Sequence, residues 1–318
     1  MRLIALLPIF LLLVACGTEK KAMKAFSLGK YQTAIDLYRK LLADNPRDGQ
    51  VNYLVAESYR LSNRIKEAES YYVNASGRGV NKDSVQFYYA QALKSNGKYE
   101  EARRQLDELI RNASTDLVRD RASAELDGLT YLERLNTSEN FYRVKNLELI
   151  NTPSAEYSPA YLNNELYFSS NRGNGKIYEA TGTPYSDLYK AATQGANVDA
   201  ATVAPLQHPI NDPMRNEGCI TFSPDGRIMV FAKGNTNKKN GGDDVDLYLV
   251  RFRNDSWTEP VKVNAPVNVQ YRGAEAVALD KNYGWDSTPA FSPDGRTLYF
   301  ASNRKDRSAQ GGTDIYTA

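Results

Sequence analysis

A small residue recurs at a fixed interval through the first part of this chain. Ala34, Ala68 and Ala102 are 34 residues apart twice over, and their neighbours keep step: Gly29, Asn63 and Gly97; Tyr31, Ile65 and Tyr99; Tyr38, Tyr72 and Leu106. A period of this length belongs to a helix–turn–helix unit that cannot bury its apolar face alone, so successive units must stack into a solenoid. Each unit places a turn residue before its second helix, either glycine or Asn63, which also adopts a left-handed conformation. The alanine falls where paired helices cross closely, since a larger side chain would push them apart. Aromatics three and four positions away fill the space between neighbouring pairs.

The spacing predicts units at about 15–48, 49–82 and 83–114, with Pro46 stopping the first pair and Asp116 to Leu135 forming an amphipathic helix that caps the last face. These residues resemble tetratricopeptide repeats. Helical pairs of this kind form a concave surface, and the repeat positions put Tyr53, Glu57, Arg60, Phe87, Gln91 and Lys94 along it. Aromatic and long polar side chains facing a groove suit a peptide or a partner helix. Helical spacing alone does not separate this from Tyr53 and Phe87 simply packing against the next helix.

After about residue 140 the helical period gives way to short β-type runs with turn dipeptides. Tyr157-Ser-Pro-Ala-Tyr161 with Leu166 to Arg172, Ile220 to Gly226 with Met229 to Ala232, and Pro289 to Gly295 with Leu298 to Arg304 read as three hairpins. Ser-Pro-Asp-Gly sets a tight turn in the last two, Pro fixing φ and Gly supplying a positive φ. In the first, Asn163-Asn164 replaces that turn and shortens the hairpin. Third strands are expected at Asp187-Leu-Tyr189, Asp246-Leu-Tyr248 and Asp314-Ile-Tyr316, a fourth at Trp257 to Val263, and Tyr142 to Ile150 aligns with such a fourth strand, Leu149-Ile-Asn151 matching Val261 to Asn264. Four-stranded units of this kind indicate propeller blades. The motifs resemble the TolB-type, WD40-like propeller repeat. A closed ring needs at least four blades, so three units, with the third interrupted at Ala318, are read as a fragment of a longer protein.

Ahead of both repeat systems, Arg2 and an apolar run from Leu3 to Val14 lead into Leu13-Val14-Ala15-Cys16. About a dozen apolar residues are too few to span a bilayer and read as the hydrophobic part of a signal peptide. The pattern resembles a bacterial lipobox. That resemblance implies that Cys16 is acylated and becomes the first mature residue, with Gly17 to Lys21 as tether. Two or more acyl chains hold a protein stably on a membrane.

Chemistry is sparse. Lys and Arg total 40 against 38 Asp and Glu, a net charge of +2, which argues against a nucleic-acid surface. His208 is the single histidine and falls in a loop. Neither a Gly-x-Ser-x-Gly elbow nor a phosphate-binding loop occurs. Cys219 is the one thiol after Cys16 and aligns with Ser158 and Thr288, so it reads as a small packed residue. Asp243-Asp244-Val-Asp246 offers oxygens to calcium. Asp246, however, aligns with Asp187 and Asp314 and reads as part of a recurrent structural hydrogen bond. No catalytic residue, metal site or cofactor is expected.

The expected organisation is therefore a lipoprotein signal peptide at 1–16, helical repeats with a capping helix at 17–138, and propeller blades at 139–318. The fold class is α + β multidomain, a solenoid followed by a partial propeller of about three blades. This order of modules resembles the OmpA-family, PorE-like outer-membrane lipoproteins of Bacteroidetes associated with type IX secretion and gliding. The resemblance implies a non-enzymatic scaffold on the periplasmic side of the outer membrane, lipid-anchored, with envelope or secretion-machinery proteins as partners. In that family peptidoglycan is bound by a carboxy-terminal OmpA-like domain, which these residues do not include. The alternatives are a TolB-like or solute-sensing propeller, or accessory domains of a hydrolase whose catalytic domain lies beyond Ala318.

Overall fold

The computed structural model describes residues 7–77, 79–137, 144–234, 245–269, 284–310 and 312–318. They fall into two compact units, residues 1–144 with 179–182 and residues 145–178 with 183–318. The first is helical and the second is built of antiparallel sheets.

Helices α1 (Leu7–Ser27), α2 (Tyr31–Asp44), α3 (Gly49–Leu61), α4 (Glu69–Asn74), α5 (Lys82–Ser95), α6 (Tyr99–Asn112) and α7 (Asp116–Thr137) follow one another as antiparallel pairs. At each turn between the paired helices the backbone enters the left-handed region, at Gly29 (φ 71°), Asn63 (φ 59°) and Gly97 (φ 75°). The next N–H then reaches back five residues to close the helix: Lys30 to the carbonyl of Ala25, Arg64 to Tyr59 and Lys98 to Leu93, at 2.8–3.0 Å. This closure requires a left-handed residue after the helix, which explains glycine or asparagine at that point. The starts of α3 and α5 are capped by the side chains of Asp48 and Asn81, which accept from the N–H groups of Val51 and Ser84.

Ala34, Ala68 and Ala102 are fully buried, one in each of three successive apolar clusters. Tyr38, Tyr72 and Leu106, one turn further on, are buried beside them. The middle unit departs from regularity: its second helix begins as a 3₁₀ turn, Ile65–Ala68, before the short α4. The expected tether is also absent. Gly17 to Lys21 are helical, within an α1 that runs unbroken through Cys16. Burial of Ala22 and Ala25 against α2 fixes the direction of this helix, and the preceding residues extend it. The Cys16 side chain lies outside the described residues. Among the described residues no helix is long and apolar enough to cross a membrane.

The second unit contains three curled antiparallel sheets. The first comprises β1 (Glu156–Leu162) and β2 (Glu165–Ser170), followed after the small hairpin β3 (Ile177–Tyr178) and β4 (Thr183–Pro184) by β5 (Asp187–Gln194), β6 (Asn197–Val198) and β7 (Ala204–Pro205). The second comprises β8 (Asn216–Phe222), β9 (Ile228–Gly234), β10 (Asp246–Arg253), β11 (Ser256–Trp257) and β12 (Val261–Lys262); the third comprises β13 (Asp286–Phe291), β14 (Leu298–Ser302) and β15 (Asp314–Thr317). The three hairpins and their third strands are thus as expected. Gly226 and Gly295 supply the positive φ of the Ser-Pro-Asp-Gly turns (68° and 69°), and Asn163-Asn164 does so with two left-handed residues (49° and 61°), the two-residue hairpin turn. The run Trp257 to Val263 is split into β11 and β12, with Pro260, which lacks an N–H, between them.

In each sheet the first strand carries a bulge. Its register shifts between Tyr157 and Ala160, Gly218 and Thr221, and Ser287 and Ala290. At these points Ser158, Cys219 and Thr288 adopt positive φ of 52°, 54° and 47°. Cys219 is therefore the left-handed residue of a bulge, and its sulfur accepts from the Ser158 hydroxyl of the adjacent sheet at 3.6 Å.

The sheets are joined by a repeated latch. Asn211, ahead of β8, accepts from the Leu188 N–H (2.9 Å) and donates to the carbonyls of Leu188 (3.0 Å) and Leu206 (2.7 Å). Asn268, ahead of β13, does the same with Leu247 (2.8 Å in both directions) and Val263 (2.5 Å). Each asparagine thus fixes the third strand of the preceding sheet. The residues just before it accept from a buried cation: Ile150 from Arg172, Pro209 and Ile210 from Lys233, Pro266 and Val267 from Arg304. Each cation pairs with an acid on the first strand: Glu156–Arg172 at 3.0 Å, Glu217–Lys233 at 3.1 Å and Asp286–Arg304 at 2.7 Å. The arginine of the Ser-Asn-Arg triplet is accordingly a structural cation, stacked on Phe168 and Tyr189 in the first sheet and on Phe300 and Tyr316 in the third.

This geometry corrects one expectation. Ile150-Asn151 corresponds to Ile210-Asn211 and Val267-Asn268, not to Val261–Asn264, and residues 148–150 form a turn with no strand among the described residues of that segment. A strand needs a neighbour, and no described strand pairs with residues 144–150; Tyr142 lies outside the described residues. The three aligned aspartates stand at the starts of β5, β10 and β15. Asp246 pairs with Lys262 at 2.5 Å, and Asp314 accepts from the Gln310 N–H at 3.0 Å. Asp187 has its pKa raised by burial, which the charge of Lys233 only partly offsets.

Candidate functional site

The six residues assigned to a concave surface lie on α3 and α5, and the structure sorts them. Glu57 is 7% exposed and is not available to a partner. Its carboxylate takes a two-point contact from Arg60 at 3.0 and 2.6 Å and a hydrogen bond from the Tyr72 hydroxyl at 2.6 Å. A carboxylate with three charge-assisted or phenolic donors is fully engaged in holding α3 to α4. Burial, followed by this bond to Glu57, raises the Tyr72 pKa. Helical spacing identifies a face of the helix but not its depth in the stack.

Arg60 spans both roles. It neutralises Glu57, and its guanidinium lies 4.1 Å from the centre of the Tyr88 ring. Tyr53 is half-buried, and its hydroxyl pKa is raised by burial first and by Glu57 second. Phe87 meets Tyr88 edge-on at 5.4 Å, with the Arg121 guanidinium 4.8 Å from its ring centre. Lys94 forms an ion pair with Glu125 on α7. Burial pushes the Glu125 pKa up, but hydrogen bonds from Lys94 and Gln91 and the charges of Lys94 and Arg121 outweigh it and leave the pKa lowered.

Arg60, Ile65, Phe87, Tyr88, Gln91, Arg121, Ala124 and Glu125 surround an open cavity of about 410 Å³. The structure therefore brings Arg60, Phe87 and Gln91 to one groove, with Lys94 at its side through Glu125. It adds Tyr88, Arg121 and Glu125, which the sequence reading missed. A signal for two of these was present: Tyr53, Phe87 and Arg121 are 34 residues apart in succession, as are Glu57, Gln91 and Glu125. The capping helix α7 continues the register of α3 and α5.

Such a groove can hold a peptide or helix through aromatic faces and a few directed polar groups. Its chemistry is that of recognition, with side chains tied up in ion pairs. Among the described residues no group of three or more His, Cys, Asp or Glu side chains is placed to hold a metal ion. Asp243 and Asp244 lie outside the described residues.

Residues 27–115 match the family model described as anaphase-promoting complex, cyclosome, subunit 3, which is tetratricopeptide-like. This part of the chain is a tetratricopeptide-like repeat region. No curated protein matches the chain as a relative. One similar solved structure comes from a study of two prolyl endopeptidases and the role of inter-domain dynamics in their catalysis and specificity. It has 17% identity and a TM-score of 0.28, and the match covers 52% of this chain and 20% of the other.

Proposed function

We propose that this chain is a non-enzymatic scaffold of a bacterial cell envelope, held to the outer membrane by acyl chains on Cys16 and facing the periplasm. Its helical repeats engage protein partners through the α3–α5–α7 groove, and its three sheets are blades of a TolB-type propeller that offers a second surface. The observation that carries this reading is the groove itself: aromatic rings and an arginine stack around an open cavity on a tetratricopeptide-like region. The recurrent latch supports the propeller reading, because it fixes each sheet to the next by the same contacts. The lipobox-like run before Cys16 supports the anchor, and the order of modules supports a role in type IX secretion, gliding or a related peptidoglycan-linked assembly.

The test replaces Tyr53 and Phe87 by Ala and compares proteins retained from envelope extract, with circular dichroism as the folding control. Loss of specific partners from a folded variant is expected. Unchanged partners would reject the groove. Metabolic labelling with a fatty acid tests the anchor independently, and a Cys16→Ala chain should carry no label.

A further inference from the structure

The helix that carries Cys16 leaves no slack between an anchor there and the solenoid. Ala22 and Ala25 of α1 are buried against α2, so the stretch from Gly17 to Ser27 is part of the packed helical unit. Away from the buried alanines this stretch is basic. Lys20, Lys21 and Lys24 are exposed, and Met23 between them is 54% exposed. Lys20 and Lys24 follow Cys16 at successive intervals of four residues, the spacing of one helix face. Among the described residues none of the three lysines is held in an ion pair. Glu19 is the one acid from Gly17 to Ser27. Its charge bears on the Tyr38 hydroxyl of α2, whose pKa burial first and Glu19 second push up to about 12. The exposed side of α2 is itself balanced, with Asp36 and Asp44 against Arg39 and Lys40.

We infer that α1 lies on the anionic headgroups of the membrane, with Lys20, Lys21 and Lys24 meeting lipid phosphates and Met23 seated among them. This rests on the acylation of Cys16 proposed above and adds what the anchored chain touches. At about 1.5 Å per residue Lys20 stands about 6 Å and Lys24 about 12 Å along the axis from Cys16, and an exposed charge is felt across about 8 Å at physiological salt. Acyl chains on Cys16 therefore start the nearer lysines within reach of the surface, and their attraction draws the helix down and brings Lys24 with it. Each lysine close to an anionic surface favours contact by a factor of about five, and an exposed apolar side chain on the same helix adds burial at the interface. A flexible tether would let the solenoid turn freely. A helical one pressed to the headgroups holds the helical unit in one orientation.

The experiment places a polarity-sensitive thiol dye at Met23→Cys in a full chain that also carries Cys219→Ser, purified from membranes and reconstituted on two kinds of vesicle. One is phosphatidylcholine alone, and the other is phosphatidylcholine with one third phosphatidylglycerol. The protein should float with both, because the acyl chains hold it in either case. The dye should brighten and shift to the blue only on the anionic vesicles, and added salt should reverse the change. Lys20→Gln/Lys21→Gln/Lys24→Gln should abolish it, since losing a factor of about five three times over weakens contact roughly a hundredfold. Circular dichroism confirms that each variant is folded. A dye that reports water on both vesicles, from protein that floats with both, would overturn the inference while sparing the anchor. So would an anionic response that survives the three substitutions, or an equal response to inorganic phosphate without vesicles. Failure to float with either vesicle would overturn both.

Discussion

Glu217 stands 3.1 Å from Lys233 with both side chains almost sealed from solvent, yet neither of its carboxylate oxygens has a well-aligned hydrogen-bond partner. The corresponding acids differ. Glu156 accepts from the Thr152 N–H and hydroxyl, from Ser170 and from Arg172, and Asp286 accepts from the Val269 N–H and Arg304. Against its own burial, that set of donors holds the Glu156 pKa below the usual range. For Glu217 burial wins over Lys233, and its pKa is pushed up to about 8.

A folded pKa above the unfolded one means that the protonated acid is favoured by folding. This contribution is fully present below about pH 4.5 and is lost as the pH rises through about 8. At 1.36 kcal/mol per unit the loss is at most about 5 kcal/mol. Denaturant unfolding followed by the fluorescence of Trp257 and Trp285, both in the sheet unit, should show a midpoint that falls between pH 5 and pH 9. Glu217→Gln should flatten that slope. A native midpoint with no pH dependence over this interval would remove the account.

The latch asparagines should be expensive to lose. Asn211→Ala or Asn268→Ala leaves the N–H of a third-strand leucine without its partner, while the leucine carbonyl keeps the Leu206 or Val263 N–H, and an orphaned buried group costs about 1–3 kcal/mol. Asn268 is fully buried, so its loss should be the greater. The Asn151 side chain donates to the exposed Asn146, and Asn151→Ala should change stability by less than about 0.5 kcal/mol, as surface changes do. Equal effects at all three positions would contradict the latch.

The contrast between these elements explains what the sequence makes legible. The 34-residue period announces the helical pairs, because burial at each crossing demands a small residue at the same place. Ser-Pro-Asp-Gly announces the hairpins, because turn geometry restricts residue type. The latch gives no such signal: Asn151, Asn211 and Asn268 stand at unequal distances before Glu156, Glu217 and Asp286, since the loops between them vary freely. The bulges are hidden for another reason, because Ser158, Cys219 and Thr288 adopt a conformation that usually marks itself with glycine. In the groove, Glu57 shows the limit of periodicity. It shares a repeat position with Gln91 and Glu125, but the Tyr72 hydroxyl and Arg60 draw it inward.

Ala102 offers a test of the helix crossing. It is fully buried among Leu93, Leu106 and Leu109, and close-packed interiors tolerate added volume poorly. Ala102→Leu should lower stability by about 1–3 kcal/mol. Thermal unfolding followed by the helical dichroism signal measures it, with Ala113→Leu at the C-cap of α6 as a control expected to differ little. A neutral Ala102→Leu would mean that the helices do not approach as closely as the repeat demands.

Glu57 and Arg121 separate stability from binding within one groove. Glu57→Ala leaves the Tyr72 hydroxyl and the Arg60 guanidinium without their shared acceptor. Because Arg60 keeps partial access to solvent, water recovers some of that loss, and the cost should be about 2–3 kcal/mol, the range for a hydrogen bond to a charged group plus an orphaned donor. Tyr72→Phe removes one donor only and should cost about 1–2 kcal/mol. Arg121→Gln breaks no buried contact and should leave the unfolding midpoint within about 0.5 kcal/mol. Thermal unfolding of the three variants therefore has a fixed order, Glu57→Ala least stable and Arg121→Gln indistinguishable from the native chain. If Arg121→Gln unfolds as early as Glu57→Ala, the arginine supports the stack of helices through its contact with the Phe87 ring.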